Sequence, residues 1–424
     1  MSRAISASRL CEKADNRAKL LENASNSAPI VNALVTMRGL WPSAMTAYKP
    51  ILLPEQYDKA TAQPVTPPAI RAGQRLVTLD LLRGIAAIAV MLRHYPWPGH
   101  QVPILPSSFL AVDLFFLLSG YVLAATYEPR LLGNMSAGNF MTRRLTRMYP
   151  LYFLGLALAL LACLGAVGTH PPAVMSQSEF ALAAFFNLFF LPAPPPGLVH
   201  ETIVTQAFPF NFPAWSLFWE LAVNGLYALI ILRLTPKMIA AIVGGCFIAM
   251  AVFAIGNGTL DSGATWSTFA MGGLRCGFAF FLGVALVRMR SIAVAPKLPS
   301  WIPVVLLVSA LAVPVSWGPW PALISAAFIF PLAIWLGASA KAGPVEAKIS
   351  DWLGWISYPV YVLQLPVLML AGAIMIATTG EFFGDNLARD LAIYCGATVL
   401  LSVIAAKLFD EPVRRWLSAR MKRS

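Results

Sequence analysis

Long apolar runs separated by short polar stretches recur from about residue 76 to residue 408, each near the length that a bilayer requires. They fall at 76–95, 109–127, 148–168, 212–232, 238–256, 266–288, 301–316, 320–339, 352–377 and 387–408. The pattern predicts an all-α integral membrane protein, a polytopic bundle of about ten transmembrane helices. One more apolar stretch, 178–191, is too short to span comfortably, and counting it as a span inverts every later helix. It reads as interfacial or re-entrant. With the Pro-rich loop 192–213 it forms the largest extracytoplasmic feature, a lid, an acceptor site or a plain connector.

The basic residues test this count, because cytoplasmic loops carry the Lys and Arg excess. Arg71 and Arg75 precede the first span, and Arg130, Arg143, Arg144 and Arg147 follow the second. Arg233 and Lys237 follow the fourth, Arg288, Arg290 and Lys297 the sixth, Lys341 and Lys348 the eighth, and Arg414, Arg415, Arg420, Lys422 and Arg423 the tenth. Every cluster falls on one side, which places both termini in the cytoplasm. Residues 1–73 differ in kind, being Ala/Ser/Asn-rich and then Pro-rich around Pro64, Pro67 and Pro68, and they read as a disordered extension. They show no secretory-signal pattern, and translation from Met37 or Met45 fits the sequence as well. The expected division is an extension at 1–73, a transmembrane domain at 74–412 and a basic cytoplasmic tail at 413–424.

Composition agrees: 58% of residues are hydrophobic and 12% charged, against about 25% charged in soluble domains. The net charge of +12 sits beside apolar segments, where it sets orientation and meets membrane lipid, so nucleic acid is not an expected partner. Of the five cysteines, Cys163, Cys246, Cys276 and Cys395 lie in apolar runs without metal-type spacing. Neither a disulfide framework nor a metal site is indicated.

Ionisable residues inside spans are costly and therefore mark candidate sites. Arg83 and His94 are eleven residues apart in the first span, about 20° apart around a helix and about 16 Å along it, so they share a stripe. His94 is the one histidine within a span. An imidazole there suits a general base for transfer to a hydroxyl, and a hydrogen-bonding bridge between helices suits it equally. Glu220 lies about two turns into the fourth span, at a depth close to that of His94, where it can orient the imidazole or bind acceptor hydroxyls. Asp113 is a third buried acid on that side. Arg144 and Arg147, one turn apart before the third span, form a pair able to grip phosphate, although orientation and anionic lipid explain an isolated basic cluster too.

Five blocks in order then resemble the acyltransferase 3 family of integral membrane acyltransferases, which includes bacterial O-antigen and exopolysaccharide O-acetyltransferases. LDLLRGIAAIAVMLRH carries an Arg-x10-His pair at Arg83 and His94, and VDLFFLLSGYVL carries Phe115, Phe116, Ser119, Gly120 and Tyr121. RRLTRMYP supplies Arg144, Arg147 and Pro150, WSLFWE supplies Trp215, Ser216 and Glu220, and FDEPVRRW ends the series at Glu411 and Pro412. The similarity runs from about Leu76 to Trp416.

The resemblance implies a bacterial inner-membrane enzyme. It would take acetyl-CoA or another acyl-CoA as donor substrate from the cytoplasm, with no bound cofactor. The acyl group would pass to a hydroxyl of a cell-surface or exported carbohydrate. It implies His94 as base, Glu220 as its catalytic support, and Arg83, Arg144 and Arg147 as donor ligands. Asp113, Ser119, Trp215, Ser216 and Gln364 would support the site. Two departures stand out. The usual YPLYLLH reads YPVYVLQ, so Gln364 replaces a second histidine and can only hydrogen-bond, and WSLFWELAVNGLY keeps one acid where many relatives have two. No hydrolase-like domain follows the tenth span, so the chain is expected to complete transfer alone or to pass the acyl group to a partner protein. A polytopic transporter or flippase, and a noncatalytic organiser of polysaccharide export, are the competing classes, although no internal repeat is evident.

Overall fold

A computed structural model describes residues 76–97, 102–166, 176–195, 205–290, 293, 295–380 and 386–421. The extension 1–73, His100, His170, His200, the middle of the 192–213 loop and the final three residues lie outside the described residues. Among those described, the protein is all-helical. The helices are α1 (Val77–His94), α2 (Ala111–Leu132), α3 (Ala137–Ala166), α4 (Gln177–Leu188), α5 (Ala214–Ile230), α6 (Pro236–Asn257), α7 (Phe269–Met289), α8 (Trp301–Ala312), α9 (Trp320–Gly337), α10 (Pro344–Thr379) and α11 (Leu387–Met421).

Eight of these are long and apolar enough to cross a membrane. The two other predicted spans are helices as well. α1 has 18 residues but carries Asp80, Arg83 and Arg93, and α8 is only 12 residues long. Large apolar side chains such as Leu161, Leu229, Leu232, Phe328 and Leu408 face outward, as a lipid-facing belt requires. The apolar stretch at 178–191 forms α4, 12 residues long and capped by a reciprocal Ser176–Glu179 pair. Its far end reaches Tyr149 and Tyr152 of α3, whose hydroxyls donate to the Leu188 and Asn187 carbonyls at 2.7 and 2.6 Å. Because α3 extends from Ala137, these tyrosines are well inside it, and Phe180, Ala183 and Ala184 of α4 pack against Leu156, Ala159 and Leu160 further along α3.

Two helices depart from the simple reading of the sequence. α9 contains a π-helical turn at Ser325–Ile329, ending two residues before Pro331, and α11 contains one at Ala406–Asp410, ending two residues before Pro412. A proline ring crowds the carbonyl four residues earlier, and a wider turn relieves that crowding. Helix α11 then continues through residues 413–421, most of the stretch expected to form the basic tail.

Glycines set the closest helix contacts. α2 and α7 touch backbone to backbone, since a Cβ on Gly120 would overlap the Phe280 carbonyl and one on Gly283 the Leu117 carbonyl. α1 and α10 also meet closely at glycines, Gly84 against Leu353 and Gly354 against the Asp80 side chain. These two seams fix the elements that carry the candidate site.

Candidate active site

Helices α1, α2, α3, α5, α10 and α11 enclose a chamber of about 1020 Å³, above the roughly 300–1,000 Å³ usual for drug-sized ligands. Its wall changes character along its length. Arg130 near the end of α2, Arg147 in the first half of α3, and Arg414 and Arg415 in the last turns of α11 line one end. Phe115, Phe116, Ser216 and Tyr361 line the other.

Between the two ends, Glu220 accepts from Ser119 Oγ at 2.6 Å and pairs with Arg144 at 2.9 Å. The Arg144 side chain is one-tenth exposed, so this ion pair is largely shielded from water. Arg83 is held on three sides: by Asp80 at 2.6 Å, by the Gly354 carbonyl at 2.9 Å and by Ser357 Oγ at 3.0 Å. It clamps α1 to α10 while lining the chamber. Arg414 is neutralised by Asp410 at 2.9 Å and Arg415 by Glu411 at 3.0 Å. Arg147 differs from all of these. It is exposed to the chamber, makes no hydrogen bond or ion pair with another described residue, and feels the charges of Arg144, Arg83 and Arg414 and of the carboxylates Glu220 and Asp410.

His94 is the last residue of α1 and does not line the chamber. Its ring meets Phe212 edge-on at 4.9 Å, its neighbour on α10 is Gln364, and its Nδ1 is buried without a hydrogen bond. Gln364 sits one turn beyond Tyr361 and donates to the Tyr361 carbonyl at 3.0 Å. The predicted stripe is therefore real: Arg83 and His94 both face α10, and one helical turn of α10 separates the imidazole from the chamber.

Other pairings differ from the sequence reading. Glu220, expected beside the imidazole, is bonded to Arg144 and Ser119, because Arg144 reaches inward from α3. Asp113, expected to serve the same site, is bound at both oxygens by Arg275, at 3.1 and 2.6 Å. Arg275 is fully buried, donates also to the Ser262 and Phe109 carbonyls, and lies over Trp215 at 5.6 Å. Asp113 and Trp215 thus belong to a buried network joining α2, α5 and α7, outside the chamber lining. Sequence reasoning missed Arg275, although a charge within a span is the same signal that singled out Asp113. It also missed Asp410, Tyr361 and the anchor at the far end of α7, where Arg288 pairs with Glu128 at 3.0 Å and Tyr227 donates to Glu128 at 2.7 Å.

A shielded carboxylate and an unpaired guanidinium in an intramembrane chamber suit group transfer, and the comparisons give that chemistry its class. The acyltransferase 3 family, described as an acyltransferase domain, matches residues 76–407, and the chain belongs to it. It is an integral membrane acyltransferase, which sets aside the transporter and organiser readings. Among its relatives is peptidoglycan O-acetyltransferase OatA of Listeria monocytogenes serovar 1/2a, 22% identical over 367 residues, covering 80% of this chain and 56% of that protein. Another is "Protein 2 in picA locus" of Rhizobium radiobacter, 38% identical over 189 residues, 43% of this chain and 95% of that protein. No solved structure matches the chain.

Proposed function

We propose that the protein transfers an acetyl or similar short acyl group from acyl-CoA, bound in the chamber from the cytoplasm, to a hydroxyl of a carbohydrate presented from the other face of a bacterial inner membrane. The observation that carries this reading is the chamber's gradient. An unpaired Arg147 with Arg144 at its side stands ready for phosphate, and a hydroxyl-bearing apolar end fits the acyl thioester. The alignment of basic clusters supports an orientation with both termini cytoplasmic, and α4 is then re-entrant from outside. The name of the Listeria relative favours a cell-wall glycan as acceptor.

In this reading His94 takes the proton of the acceptor hydroxyl, and the resulting oxygen attacks the thioester carbonyl. Glu220 keeps Arg144 extended into the chamber, and Gln364 orients the imidazole. The test is transfer from labelled acetyl-CoA by purified protein across a panel of glycans. Label appearing in a glycan or in a partner protein supports the proposal. Acyl-CoA that neither binds nor turns over sinks it.

A further inference from the structure

Tyr361 is the one chamber-lining residue that stands a single turn from the neighbour of His94. It is 5% exposed, its hydroxyl lies 2.6 Å from Ser216 Oγ and 3.3 Å from the Pro213 carbonyl, and its ring is set edge-on to Phe115 at 5.3 Å. Ser216 Oγ also donates to the Pro213 carbonyl at 2.9 Å, so the Tyr361 proton rests on a neutral oxygen in either arrangement, the serine hydroxyl or that carbonyl. A growing oxyanion is a much stronger acceptor than a hydroxyl, and a site with little water strengthens the exchange.

We propose that the Tyr361 hydroxyl is a catalytic hydrogen-bond donor to the carbonyl oxygen of the acyl thioester, an assignment that rests on the chamber being the donor site. As the acceptor oxygen bonds to the carbonyl carbon, its proton passes to the imidazole and the carbonyl π pair moves onto oxygen, where Tyr361 holds it. Collapse re-forms the carbonyl, breaks the C–S bond and releases the CoA thiolate, which takes the proton back from the imidazolium.

The test is Tyr361→Phe in the full-length protein, with acyl-CoA affinity, thermal stability and turnover measured separately. Removal of one oxyanion donor lowers kcat by roughly 10²–10³-fold, with donor affinity and melting temperature unchanged. A second variant with 4-aminophenylalanine at position 361, which keeps a donor on the same ring, recovers turnover over Tyr361→Phe. Turnover near wild type in Tyr361→Phe, or a loss that 4-aminophenylalanine does not restore, overturns the assignment. Loss of donor binding in Tyr361→Phe also overturns it, because the residue is then part of the binding wall alone. A wild-type protein that fails to bind acyl-CoA removes the reading of the chamber itself, whereas normal binding with undiminished turnover in the variant removes only Tyr361.

Discussion

Arg147→Ala separates donor binding from protein stability, because this guanidinium gives up no partner in the unliganded protein. Its charged neighbours are Arg144, Arg83 and Arg414 together with the carboxylates Glu220 and Asp410, so repulsion and attraction offset and its removal leaves the melting temperature nearly unchanged. What it loses is a charge-assisted hydrogen bond to the donor's phosphates, worth about 1.5–3 kcal/mol. That corresponds to roughly a 10- to 150-fold weaker Kd for acetyl-CoA. Calorimetry on detergent-solubilised protein reads the affinity directly, and a parallel melt without donor reads the stability. Arg144→Ala provides the contrast. It strands the shielded Glu220 carboxylate beside Ser119, so both affinity and melting temperature fall. An unchanged Kd in Arg147→Ala, or a destabilised unliganded protein, would refute the reasoning.

Three further outcomes are expected. His94→Gln lowers transfer by about 10²–10⁴-fold in a well-folded protein, since an amide replaces a hydrogen bond but cannot accept the proton; substantial transfer by this variant redirects the search for the base to Glu220. Arg275→Met strands a buried Asp113 and costs about 3–5 kcal/mol in a denaturation assay, and adding Asp113→Leu recovers most of the loss, because a well-packed apolar pair replaces a buried ion pair at little cost. Gly120→Ala forces α2 away from the Phe280 carbonyl, and size-exclusion profiles show loss of the monodisperse folded protein, while Gly396→Ala, which meets nothing within 4 Å, behaves as wild type.

The helices were legible because a bilayer imposes a length on every apolar run, and that constraint acts locally in the chain. The Arg83–His94 stripe was legible for a similar reason, since helical periodicity fixes angle and rise between two residues of one helix. Partnership between helices was not. The depth of Glu220 in α5 was readable, but depth is one coordinate of three, and whether α1 or α3 supplies its neighbour depends on how the bundle packs. The long side chain of Arg144 lets α3 supply that neighbour, which no periodicity within α5 records. The glycine of the FF-x-x-SG block was visible as a letter, yet its cause, a carbonyl of α7, is distant in the chain.

The part of α11 from Asp410 to Ser418 contributes to the same wall as Asp80 and Arg83 of α1, so the chamber is bounded by pieces from opposite ends of the described chain. During synthesis, a chain inserted only as far as α10 already holds His94, Glu220 and Arg147, yet its chamber stands open on one side. The wall is completed only after α11 has docked, with Trp355 donating to Glu411 and Thr146 meeting Met421 as the fastening points. On the proposed function, donor binding then reports that the membrane domain is fully assembled. A bulky fusion joined directly to α11 would disturb that fastening, whereas a long flexible linker would leave it free to form.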